Sequence, residues 1–180
     1  MNPALPDRHY DRVARTFHWL VVLLVIMQYG TELTLPSVLS KAAQDSLVDW
    51  HLSIGPTILL LMLLRLAWRL THAPPAPPAT LPPVMRFVSR ATHWLFYGVL
   101  IVLPVLGWTA ASAYGDTAHL FGIIDLPRLV ATNKPLAETV GRAHRAIALG
   151  LMALIALHVA GALYHALVKR DGVMRRMLSD

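Results

Sequence analysis

The sequence predicts an all-α integral membrane protein, a bundle of four transmembrane helices. Of its 180 residues, 56% are hydrophobic and only 14% charged, where a soluble domain carries about a quarter. Four stretches approach the roughly 20 apolar residues that a helix needs to cross a bilayer core. Polar or proline-rich connectors separate them. The mean hydropathy of +0.52 agrees with that reading.

The first stretch runs from Thr16 to Leu35 around HWLVVLLVIMQYG, and the second from Trp50 to Leu70 around HLSIGPTILLLMLLRLAW. The third runs from Ala91 to Ser112 (THWLFYGVLIVLPVLGWTAA) and the fourth from Ala143 to Val168 (HRAIALGLMALIALHVAGALYHALV). Between the second and third lies HAPPAPPATLPP, from His72 to Pro83. Proline lacks the amide donor and clashes with the preceding turn, so this link is stiff and extended. The connector from Tyr114 to Gly141 is long enough to cover one end of the bundle. The expected organisation is one transmembrane domain over residues 1–180. The first fourteen residues are polar and no small-residue cleavage site follows the first apolar run, so no cleavable signal peptide is expected.

Charge orients the bundle. Eleven Lys and Arg fall on the side of the N-terminus, proline link and C-terminus, against five on the other. Arg8, Arg12, Arg15, Arg65, Arg69, Arg86, Arg90, Lys169, Arg170, Arg175 and Arg176 form the first set; Lys41, Arg128, Lys134, Arg142 and Arg145 form the second. The positive-inside rule then puts both termini and the proline link in the cytoplasm. The net charge of +6 sits beside apolar runs, which reads as membrane anchoring rather than nucleic-acid binding. There are no cysteines, which excludes disulfides, iron–sulfur clusters and thiolate haem ligation.

Nine histidines in so apolar a chain need an explanation, because an ionisable residue inside a membrane helix is costly and usually functional. His144 and His158 are fourteen residues apart on the fourth helix. That separation is about 40° short of four full turns with a rise of about 21 Å, so both rings leave nearly one face at two depths. His51 shares the depth of His144, and His18 that of His158. Two trans-bundle pairs suit two bis-histidine haems. Zinc would want its ligands at one depth. His93 lies at the depth of His18 and is an alternative ligand. His9, His72 and His119 fall in the tail or loops and read as interfacial polar residues. Gly55, one turn from His51, offers room for a flat macrocycle or ordinary close helix packing. Arg65, fourteen residues after His51, reads as a haem propionate partner or a snorkelling interfacial arginine. His165, seven residues beyond His158, lies near the same stripe about 10 Å closer to the cytoplasm, where an interfacial histidine beside Tyr164 would also sit.

The segments YDRVARTFHWL from Tyr10, HLSIGPTILLLMLLRLAWR from His51, THWLFYGVLIVLPVLGW from Thr92 and HVAGALYHALVKRDGVMRRM from His158 together resemble the bacterial cytochrome b-561 family of di-haem membrane proteins. The resemblance covers essentially the whole chain. It implies two non-covalent b haems, held by His18 with His158 on the cytoplasmic side and by His51 with His144 on the periplasmic side. Some members of that family are similar to superoxide:quinone oxidoreductases. The expected function is therefore transmembrane electron transfer, oxidising superoxide outside and reducing ubiquinone inside, with His165 as the group acting on the quinone. Outside, Arg142, Arg145 and Lys134 offer a local patch to attract an anion. The rivals are an electron-carrying anchor subunit for a hydrogenase-like or dehydrogenase-like partner and a small transporter with a histidine proton relay.

Overall fold

The computed structural model describes residues 10–76 and 82–178; Arg8, His9 and residues 77–81 of the proline link lie outside the described residues. Four long helices dominate: α1 (Arg12–Thr34), α2 (Lys41–Thr71), α3 (Pro83–Tyr114) and α4 (Lys134–Leu163). A 3₁₀ turn, Leu35–Ser37, joins α1 to the loop before α2. Each of the four is long and apolar enough to cross a membrane.

The helices outrun the expected stretches. They begin at Arg12, Lys41, Pro83 and Lys134 rather than at Thr16, Trp50, Ala91 and Ala143. Apolar composition marks only the part of a helix that lies in hydrocarbon; capping decides where the helix starts. The Asp11 carboxylate accepts from the Ala14 amide at 2.8 Å, and the Asn133 side chain accepts from the Leu136 amide at 3.0 Å. Both satisfy donors that a helix N-terminus leaves open. Pro83 and Pro135 stand in first turns, where no amide donor is needed. At the other end, α4 stops as an α-helix at Leu163 rather than running to Val168. Its last turn, Tyr164–Lys169, is wound as a π-helix and closes on Arg170 at φ 50°.

In space α1 packs on α2, α2 on α3, and α3 on α4. Among the described residues, α4 meets α1 and α2 mainly through side chains, as where the Tyr29 hydroxyl donates to the Ala148 carbonyl at 2.6 Å. A core of Val21, Ile54, Ile58, Met62, Leu100 and Leu151 fills the middle of the bundle. The outer faces are apolar and uncovered: Ile26, Leu149 and Leu157 are each more than 60% exposed. That pattern fits a surface bathed in lipid, where a soluble bundle would turn polar residues outward.

One end of the bundle gathers Tyr10, Ala76 at the start of the proline link and the C-terminal segment, including the short helix α5 (Arg175–Leu178). The Tyr10 amide donates to the Arg176 carbonyl at 3.2 Å, and the Trp19 indole to the Met177 carbonyl at 3.0 Å. The Arg176 guanidinium reaches the Ala76 carbonyl at 2.8 Å. The opposite end carries the connector after α3. Gly115 ends α3 at φ 99°, a conformation that suits glycine. The connector then forms a small antiparallel ribbon of β1 (His119–Leu120) and β2 (Ile124–Asp125).

Candidate functional site: two histidine pairs

The helices bring the spaced histidines together as two pairs. Towards the ribbon end, the rings of His51 and His144 have centroids 6.1 Å apart at 70°. Towards the end holding the termini, His18 and His158 are 6.5 Å apart at 66°. Two imidazoles that share one metal ion, each nitrogen about 2 Å from it, have centroids roughly 6 Å apart. Both pairs therefore fit a bis-histidine haem, and no three His, Asp, Glu or Cys among the described residues cluster as a compact metal site.

Hydrogen bonds orient the rings. His144 Nδ1 lies 3.0 Å from the Leu103 carbonyl; a carbonyl only accepts, so Nδ1 carries the proton and Nε2 keeps its lone pair. His51 Nδ1 is 3.2 Å from the Thr31 hydroxyl, which itself donates to the Gln28 carbonyl at 2.8 Å. The hydroxyl is thus left to accept from His51, and again Nε2 is the free base. Such second-shell bonds commonly fix metal-binding histidines. Gln28 lies beside this pair: its Nε2 donates to the His51 carbonyl at 3.2 Å, while its buried Oε1 has no hydrogen-bond partner.

The other pair has a third ring. His93 stands 5.8 Å from His158, closer than His18 does. Its Nδ1 donates to the Ser89 carbonyl at 2.6 Å, the orientation a ligand would have. His18 Nδ1 instead faces the Arg65 guanidinium at 3.3 Å, which can only donate. Phe96 closes the far side of His158 at 5.2 Å. Arg65 also lies 5.7 Å over the Tyr97 ring, so the structure seats this arginine inside the bundle next to His18.

Gly55 is buried, and a Cβ there would meet only Gln28 Nε2 at 3.6 Å. The glycine pressed against a histidine is Gly107 of α3. A Cβ at that position would stand 3.0 Å from His144 Cε1 and 3.2 Å from Nδ1. Sequence reasoning missed this role because Gly107 and His144 lie on different helices.

His165 sits on the π-wound turn and bonds Asp171 at 2.6 Å. Burial works against ionisation of Asp171, but the bonds from His165 and the Val173 amide outweigh it and hold the carboxyl below its ordinary 3.8. With a depressed carboxyl, the contact is present above that value and lost as pH falls through the folded one. Arg65 is engaged by His18 and Tyr97. Lys169 lies 5.9 Å over the Tyr164 ring. The two loop histidines described here have local partners: His72 stacks on Trp68 at 3.6 Å, and His119 bonds Asp125 at 2.8 Å. The Arg142 guanidinium donates to the Thr139 hydroxyl at 3.2 Å.

Comparison with known proteins agrees with this architecture. The family model described as prokaryotic cytochrome b561 matches residues 9–180, so the chain belongs to the prokaryotic cytochrome b561 family. It is 27% identical to cytochrome b561 homolog 2 of Escherichia coli (strain K12), over 96% of this chain and 92% of that one. It is 32% identical to the probable superoxide oxidase CybB of Yersinia pestis, over 95% of this chain and 96% of the other. Cytochrome b562 of Cereibacter sphaeroides is 26% identical over 94% of each. The chain is a multi-pass membrane cytochrome of the electron-transfer type, with b-type haem as its cofactor.

Proposed function

We propose that this chain carries electrons across a bacterial inner membrane, from superoxide at the outer face to ubiquinone at the inner face. The observation that supports it is the pair of histidine pairs, each with the spacing of a shared haem and set at two levels of one bundle. His51 with His144 would hold the outer b haem, and His18 with His158 the inner one. Bound there, the two haems would supply one-electron transfer between the faces. Gly55 would leave room at the outer macrocycle, and Arg65 would pair with a propionate of the inner one. Residues 1–180 would act as one domain, with both termini and the proline link cytoplasmic by their excess of basic residues. Superoxide as donor is favoured by the likeness to the Yersinia pestis protein.

The balance is simple. Two superoxide ions each lose one electron and leave as dioxygen; one quinone gains those two electrons and two protons. His165 is the group on this chain suited to the proton side. Asp171 accepts from its Nδ1, so in the imidazolium form the Nε2–H can donate to a quinone carbonyl and pass its proton there.

The test uses protein purified in nanodiscs, with optical spectra before and after superoxide addition, in the wild type and in His165→Ala. Superoxide should reduce the haems in both. Quinone reduction should fall about a hundredfold in the variant, the usual scale for losing a general acid. Haem that stays oxidised in the presence of superoxide would make the donor a partner protein instead. Unchanged quinone turnover in the variant would remove His165 from the quinone site.

A further inference from the structure

The connector after α3 is more apolar than a water-exposed loop should be. From Ala118 to Val130 its charged residues are Asp125 and Arg128. Phe121 is 54% exposed, Ile123 80% and Ile124 50%. The ribbon turns through Phe121 at φ 56° and Gly122 at φ 71°, and a bulky residue adopts that conformation only when its surroundings hold it there.

What holds it is the outward side of α2. The Phe121 amide donates to the Thr57 hydroxyl at 3.4 Å, and a Cβ at Gly122 would stand 3.5 Å from the Ser53 hydroxyl. At about 100° per residue, Ser53 and Thr57 point some 200–240° away from His51, hence away from α4 and out of the bundle. Ser53 is nonetheless only 7% exposed, because the ribbon covers it. The same stripe continues along α2 as Leu60 and then Leu64, which is 47% exposed. The stripe is polar where the ribbon lies and apolar where lipid takes over. Thr57 is six residues past His51, or about 9 Å further along the axis. Counted from Trp50, where the apolar stretch begins, Thr57 lies about 10 Å in, comparable with the roughly 5–10 Å to which an interfacial segment buries its apolar face.

Non-helical backbone at that depth needs its polar groups satisfied by protein, and here several are. The Ile123 amide donates to Leu120 at 3.2 Å and the Leu126 amide to Ala118 at 2.9 Å. The Leu129 amide donates to the Ser112 hydroxyl at 3.2 Å, and the Trp108 indole to the Pro127 carbonyl at 3.2 Å. Side chains of the spanning helices thus serve the connector's backbone.

We propose that this ribbon is an interfacial membrane anchor: it lies against the lipid-facing side of α2 and inserts Phe121, Ile123 and Ile124 into the outer leaflet. The occupant of its exposed face is lipid acyl chain.

The chain lacks cysteine, so single labels are clean. Ile123→Cys and, separately, Phe121→Cys would be spin-labelled in the haem-loaded protein in phospholipid nanodiscs. Leu64→Cys on α2 gives the lipid-facing reference, and haem spectra check folding in each variant. Collision with dissolved oxygen should exceed collision with a water-soluble nickel chelate several-fold at both ribbon positions, matching the reference. Preferential access of the nickel chelate would make the ribbon an aqueous loop and overturn the proposal. Protection from both reagents would also overturn it, because a second copy or another protein would then cover the face. Should one variant lose its haem spectrum, the other decides.

Discussion

At the residue scale, each imidazole is defined by what its two nitrogens do. His51 and His144 each have Nδ1 tied, by Thr31 and by the Leu103 carbonyl, and both offer Nε2. The expected result of His51→Ala or His144→Ala is loss of the outer haem with the inner one retained. His158→Ala should remove the inner haem alone. The second inner ligand is contested by geometry, since both His18 and His93 stand within ring-pair distance of His158. Low-temperature spectra of His18→Ala and His93→Ala discriminate them. Loss of the inner haem in the first variant and its retention in the second is the expected outcome. The reverse pattern transfers the ligand to α3. The spacing of His144 and His158 on one helix was legible in the sequence, because helical periodicity alone sets it. The partner of His165 was not. Asp171 is six residues on, which in a continuous α-helix would place it on the far side. The π-wound turn and the left-handed Arg170 bring it back, and nothing in the composition of that segment announces such a turn.

At the element scale, the approach of α3 to α4 is limited by Gly107. Gly107→Ala would put a methyl group 3.0 Å from His144 Cε1, tighter than carbon atoms usually approach, so the ring or the helix must give by a few tenths of an ångström. Either the helices separate or the ring turns off the Leu103 carbonyl. Overpacking of this kind costs about 1–3 kcal/mol. The outer haem should be released at lower temperature in a thermal melt followed at its absorption band, with the inner haem unaffected. Gly141→Ala, on α4 three residues before His144 and with no atom within 4 Å of the new methyl, is the control and should leave both unchanged. If both variants melt like the wild type, the close contact has no bearing on the outer site. Elements were read from sequence by their apolar cores, and all four were found. Their starting points were not, because Asp11 and Asn133 extend the helices into water by local hydrogen bonding that hydropathy does not register.

At the scale of the whole molecule, neighbouring helices pack closely in chain order, while α4 faces α1 and α2 across the interior through the histidine pairs. A bundle with two such pairs should hold two haems per chain, and a pyridine haemochrome assay on purified protein checks this. One haem per chain would mean that only one pair is a site; none would leave the histidines to another role. The sequence by itself determined the number of spanning helices, their apolar outer surface and the two levels of histidine, since each is a property of composition and periodicity along one segment. The tertiary structure alone decided that His93 stands nearer His158 than His18 does, that Gly107 yields space to His144, and that the connector after α3 folds back onto α2. Those are contacts between segments distant in the chain, and they depend on how helices rotate and approach one another, which no periodicity within a single helix encodes.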